Sequence, residues 1–329
     1  MLHVELNVTP VGEAAANAQV GPVNNFLHSL FSQVDVFFNN KLVTPSSNCY
    51  AYRSYIETLL NYSSPAKESH LTCALFYADQ PGRMNAAANA PAGESNSGLV
   101  KRRSFILNGQ ALDMIGHLHC DVFNQDKMLI NGVEVRVRLT RSKDEFCLMD
   151  ASEGGLFRVN ITDATLIMRR VKVSPGVLLA HSRGLSKTTA KYPITRVEIK
   201  NFNLQAGIMS TSLDNIFLGQ LPKRIIVGFV DNRAFNGNRT LNPFNFEHIN
   251  LSYLSLYVDG VQVPSKPLTP RQPANANRLS IECFQTLFTG TGVHFSDTGC
   301  GINRENYDQG YFLTCHDLTS DLTTSCASH

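Results

Sequence analysis

Charge is scarce in this sequence: Asp, Glu, Lys and Arg together make up 17%, against a usual share of about 25%. A surface with so few charges is expected to be covered in part by partners, which favours a protein that assembles. Lys and Arg number 29 against 27 Asp and Glu, a formal charge of +2. That is too small for bulk attraction to nucleic acid, so no specific nucleic-acid partner is expected. The eight cysteines, at 49, 73, 120, 147, 283, 300, 315 and 326, include no C-x-x-C pair and no zinc-finger spacing, and they read as mostly reduced thiols. No run approaches the ~18 apolar residues of a membrane helix. The opening MLHVELNV has neither the basic region nor the uninterrupted apolar core of a signal peptide. The expected compartment is therefore the cytoplasm or nucleus, with no secretion and no membrane insertion. In that setting the sequons at Asn7, Asn61, Asn160, Asn238 and Asn250 are chance matches.

What the sequence does have is period-two alternation. Leu2, Val4, Leu6 and Val8 alternate with His3, Glu5 and Asn7, the pattern of a strand with one buried face. Val133, Val135, Val137 and Leu139 repeat it after the turn signal Asn131-Gly132. Further strands are expected at 111–123, 157–173, 194–204, 223–230 and 310–316, each rich in β-branched or aromatic residues. Helical spacing is rarer. It places Tyr52, Ile56, Leu59 and Leu60 on one side of 50–62, and Leu279, Cys283, Phe284 and Leu287 on one side of 278–288. The polar, aperiodic 82–99 reads as a long exposed loop. The non-strand stretch 174–193 divides the chain near its middle.

One unit occurs twice. PVNNFLHSLFSQVDVFFNNKLV at 22–43 is matched by PFNFEHINLSYLSLYVDGVQV at 243–263. Val34, Val36 and Phe38 correspond to Leu254, Leu256 and Val258, and the turn Asn39-Asn40 to Asp259-Gly260. Both turns tolerate the positive φ of a tight hairpin. A helix with a similar ending follows each, Glu57-Thr58-Leu59-Leu60 and Gln285-Thr286-Leu287-Phe288. A period of about 220 residues far exceeds the ~20–50 of a solenoid, so the spacing indicates a duplicated domain. The expected fold is all-β: two tandem antiparallel jelly-roll β-sandwiches with short helices in the connections. The first spans 1–174, a linker 175–193, and the second 194–329.

At residues 26–62, 119–149, 190–200 and 227–268, and at TLFTGTG (286–292), the chain resembles the double-jelly-roll major capsid proteins of Polinton (Maverick) and adintovirus-like elements, copies of which also sit in invertebrate genomes. The resemblance covers nearly the whole chain. It implies two jelly rolls per chain, a homotrimer forming a pseudo-hexameric capsomer, and contacts with neighbouring capsomers and a penton-type minor capsid protein in a virion. It also implies a strand before Leu2 and a hairpin after Leu322, so the second jelly roll is expected to be incomplete at its C-terminus. Duplication has a geometric use on this reading, since a trimer of double units tiles positions that need near six-fold symmetry.

Two other functions set against it are a repurposed jelly-roll binding protein and a cupin-like metal enzyme. The second rests on His117, His119 and Asp121, which alternation would place on one strand face as candidate metal ligands, with Asp126 as another carboxylate. A bare H-x-H lacks a full ligand set, and these histidines read as structural, with no metal or other cofactor expected. The glycine-rich 289–301 lacks the Gly-Lys-Ser/Thr ending of a phosphate loop and reads as a plain loop. Lys101-Arg102-Arg103 and the scattered His181, Arg183, Lys187 and Lys191 read as solvated charges. Cys49 and Cys147 read as inert thiols. No catalytic triad can be assembled, so the expected function is structural, without chemistry. The segments 82–99 and 232–242 are the expected exposed or inter-subunit contacts.

Overall fold

The computed structural model describes residues 1–11, 19–91, 93–150, 157–271 and 281–319. The start of the expected helix at 278–280, Cys326 and the C-terminal residues from 320 lie outside them. The described chain is rich in small antiparallel sheets. In chain order the strands are β1 (Leu2–Pro10), β2 (Gly21–Pro22), β3 (Phe31–Phe38), β4 (Lys41–Leu42), β5 (Leu112–Gly116), β6 (Val135–Arg141), β7 (Leu148–Met149), β8 (Phe157–Leu166), β9 (Arg224–Gly228), β10 (Leu254–Val258), β11 (Val261–Leu268) and β12 (Leu313–Asp317). The helices are short: α1 (Phe26–Ser29), α2 (Tyr50–Asn61), α3 (Ser64–Glu68), α4 (Ser97–Arg103), α5 (Asp144–Cys147), α6 (Pro175–Leu185), α7 (Asn232–Asn236) and α8 (Ile281–Thr291).

Two sheets have three strands, ordered β5-β1-β8 and β4-β3-β6. The alternation of β1 is realised as read: Leu2, Val4, Leu6 and Val8 are buried, and His3, Glu5 and Asn7 turn outward. The duplicated hairpin appears at both positions. β3 meets β4 across Asn39-Asn40, with φ of 48° and 66°, and β10 meets β11 across Asp259-Gly260, with φ of 48° and 83°. Left-handed conformation at both central residues gives the strands the turn that matches their twist. Helix α2 follows the first hairpin and α8 the second.

Elsewhere the chain departs from the expected strands. The segment at 111–123 is a strand only to Gly116, then turns through a 3₁₀ element at Asp121–Phe123. That of 157–173 ends at Leu166, and 175–185 forms α6. At 194–204 no strand forms, because side chains take the backbone groups a ladder would use. Arg53 donates to the Val197 carbonyl, Ser47 to the Ile199 carbonyl, and the Val197 N–H donates to the Asp121 carboxylate.

One apolar cluster draws on both copies of the unit. Tyr55 of α2 stacks on Phe244 with ring centroids 4.1 Å apart and planes 6° from parallel, while Tyr52 meets Phe244 edge-on at 5.6 Å. Polar groups bridge the same distance along the chain. The Tyr311 hydroxyl donates to the Asp79 carbonyl at 2.8 Å. Lys67 Nζ donates to the carbonyls of Leu59 (2.7 Å) and Cys300 (2.6 Å), and burial lowers its pKa to about 8.

Candidate functional site

The three flagged residues do not share a strand face. His117 is exposed, while His119 and Asp121 turn inward, each to a partner on α2. Asp126 is exposed. Tyr50, Arg53 and Glu57 recur at helical spacing along one side of α2, and they organise the site. Arg53 Nε donates to Glu57 Oε1 at 2.9 Å, and its Nη2 pairs with Asp121 Oδ1. Glu57 Oε2 lies 2.6 Å from His119 Nδ1, so that nitrogen carries the proton. The Tyr50 hydroxyl accepts from the His119 N–H at 3.3 Å and faces His28 Nδ1 at 3.0 Å. Burial raises the tyrosine pKa and lowers that of His28 far below the usual range, with His119 and then His117 adding to the histidine shift. Tyr50 therefore donates to a neutral His28.

The adjoining cavity, lined by Val34, Thr44, Cys49, Arg53, His119 and Val197 among others, holds about 30 Å³, room for about one water molecule. Around it charge is balanced by pairing. Burial opposes ionisation of Glu57, but the hydrogen bond from His119 and the charge of Arg53 outweigh it and hold the carboxyl below the ordinary glutamate range. The thiols behave oppositely. Burial raises Cys49, pushes Cys120 up to about 12, and raises Cys147 further, so all three stay protonated at neutral pH. They are poor nucleophiles in that state.

This network makes stability depend on pH with a defined sign. His28 is neutral when folded and titrates near 6.5 when unfolded, so below that value the unfolded chain binds the extra proton. Its contribution is complete above pH 6.5 and is lost progressively as pH falls below it. Thermal melts are expected to show that decline between pH 7 and 5, with a smaller one in His28→Gln; a residual slope remains from His316 and His117, both lowered by burial. A wild-type melting temperature that is flat over this range contradicts the assignment.

The basic triplet at 101–103 is not uniformly solvated. Arg102 is fully buried and donates to Pro22 O (2.8 Å), Tyr77 O (2.6 Å) and Asp79 Oδ1 (2.6 Å). His181, Arg183, Lys187 and Lys191 are exposed as read. In 289–301 the chain finishes α8 and passes through a 3₁₀ turn at Val293–Phe295.

The two segments expected to make outside contacts bind each other within the chain. Met84, Ala88, Asn96 and Leu99 of 82–99 are buried, as are Ala234 and Asn242 of 232–242. The Asn242 N–H donates to Asn85 Oδ1 at 2.7 Å and its amide to the Met84 carbonyl at 3.3 Å.

Uncovered apolar surface lies elsewhere. From Thr162 to Lys223 no residue is buried. Among the described residues, more than half of the large apolar side chains that are exposed fall between Leu166 and Leu218, with Met209 fully exposed and Leu218 80% exposed. Strand β8, which leads into this stretch, has β1 on one edge and no partner on the other among the described residues. Apolar periodicity could not separate these side chains from core ones, because the same residue types fill both.

No helix is long and apolar enough to cross a membrane among the described residues. No family model matches the chain, and no solved structure matches it. An uncharacterized protein of Caenorhabditis elegans is 23% identical over 250 residues, covering 75% of this chain. The match spans 56% of that protein's length.

Proposed function

We propose that the chain is a structural subunit that works by self-association: a double-jelly-roll major capsid protein of the Polinton, Maverick and adintovirus-like kind, or an endogenous genomic copy of one. In this reading each copy of the duplicated hairpin-helix unit belongs to one jelly roll, and three chains form a pseudo-hexameric capsomer. That capsomer meets its neighbours and a penton-type protein in a virion, after assembly in cytoplasm or nucleus. The carrying observation is the stretch from Leu166 to Leu218, where many apolar side chains are exposed along the chain directly after β8, a strand that has one free edge among the described residues. Exposed apolar side chains in such number mark an interaction site where they adjoin, and an open edge is a template for pairing. The charge-poor composition and the duplication fit a second and third copy of the same chain as the occupant.

The test is the native mass of the purified chain by light scattering after size exclusion. Three times the chain mass of 36.3 kDa is expected. The variant Val171→Lys/Met209→Glu/Leu218→Lys should elute as a single chain with an unchanged melting temperature, since none of these side chains packs in the core. A wild type that stays a single chain at tens of micromolar overturns the proposal and favours the repurposed binding protein.

A further inference from the structure

We propose that His3, Glu5 and Asp113 form a binding site for a zinc-like divalent transition-metal ion on the outward face of the β5-β1-β8 sheet. This site is separate from His117, His119 and Asp121, and it does not depend on the capsid reading. The alternation that buries Leu2, Val4 and Leu6 turns His3 and Glu5 to the opposite face, two residues apart. Asp113 stands directly opposite Glu5 in the antiparallel register of β5. His3 Nε2 lies 2.6 Å from Asp113 Oδ1, and one donor atom from each of the three residues falls within 4.8 Å of the others. Zinc bonds of 2.0–2.2 Å place neighbouring donors roughly 3.4 Å apart, so modest side-chain rotations complete the set. The ladder between β1 and β5 fixes the three backbone positions, which limits what has to be ordered on binding.

The charge pattern of the sheet points the same way. Asp163 on β8 stands opposite Glu5 from the other side, so three carboxylates lie in one cross-strand row. Like charges directly opposite each other destabilise a sheet. Among the described residues His3 with Asp113 is the one ion pair made to this row, while Asp163 accepts from the Thr165 hydroxyl at 3.0 Å. A dication relieves the repulsion that a single imidazole leaves. The mixed nitrogen and oxygen set favours zinc-like ions over calcium or magnesium, which take oxygen ligands, and three protein donors leave a position for water.

The experiment uses the full chain stripped with a chelator and titrated with zinc chloride by calorimetry, then with cobalt chloride by visible absorption. One zinc equivalent is expected in the wild type. Its affinity should fall by about 10-fold or more in His3→Ala and, separately, in Asp113→Asn, a loss that even outer-shell substitutions cause. Asp113 is exposed and His3 half-buried in an ion pair of small worth, so melting temperatures in chelator should stay close to the wild type, and Glu5→Gln serves as a third, near-isosteric variant. Cobalt bound there should lack a thiolate charge-transfer band. Equal zinc affinity in the wild type and the variants overturns the site. A thiolate band assigns the strongest equivalent to a cysteine instead, Cys73 being the exposed one among the described residues. An equal response to magnesium reduces the feature to an ordinary acidic patch.

Discussion

Replacing Arg102 with Leu is expected to cost about 3–5 kcal/mol, the penalty for leaving a buried carboxylate without its countercharge. In a chain of this length that lowers the melting temperature by roughly 4–7 °C. Arg102 and Asp79 side chains are both wholly inaccessible, and the guanidinium also satisfies the carbonyls of Pro22 and Tyr77. Asn96 Nδ2 contributes a further hydrogen bond to Asp79 Oδ1 at 2.8 Å, which the variant retains and which cannot neutralise the charge. Adding Asp79→Asn to Arg102→Leu should recover part of the loss, because it removes the orphaned charge. A single variant melting within 1 °C of the wild type would show that water reaches Asp79 and that the pair is not sealed.

Phe244→Ala carries a comparable cost, about 3–5 kcal/mol for removing a fully enclosed aromatic side chain. The stack on Tyr55 and the edge contacts from Tyr52 and Phe146 all end on this ring. Its particular value is that Phe244 belongs to the second copy of the unit while Tyr52 and Tyr55 sit on the helix of the first. The variant is expected to shift one common transition seen by far-ultraviolet and aromatic circular dichroism. A split into two transitions, with one at the wild-type temperature, would mean that the two copies melt independently despite the shared ring stack.

How legible all this was in the sequence depended on how local each signal is. β1, both hairpins and α2 could be read because alternation, turn residues and helical spacing act over a few positions. Arg102 could not. Three consecutive cations read as surface charge, and the Asp79 that buries the middle one lies 23 positions upstream, in a different pattern altogether. The site was legible in halves: His119 and Asp121 stood out by residue type, whereas nothing in the sequence sets Arg53 and Glu57 apart from any other i, i+4 pair on a helix. Only the packing of α2 against the turn after β5 makes one network of the four. The segment 194–204 has strand composition, yet its Val197 and Ile199 backbone groups bond to side chains, a choice set by residues more than seventy positions away.

The Tyr311 hydroxyl and the Asp79 carbonyl are separated by 232 positions. During synthesis at 5–20 residues per second, roughly 10–50 s pass between the emergence of the one and of the other. For most of that interval, until residue 244 is made, Tyr55 and Phe76 have left the ribosome while Phe244, the ring that stacks on Tyr55, does not yet exist. The nascent first half thus presents an open aromatic face to the cell, and whatever shields it then, a chaperone or a neighbouring nascent chain, takes part in the birth of every copy.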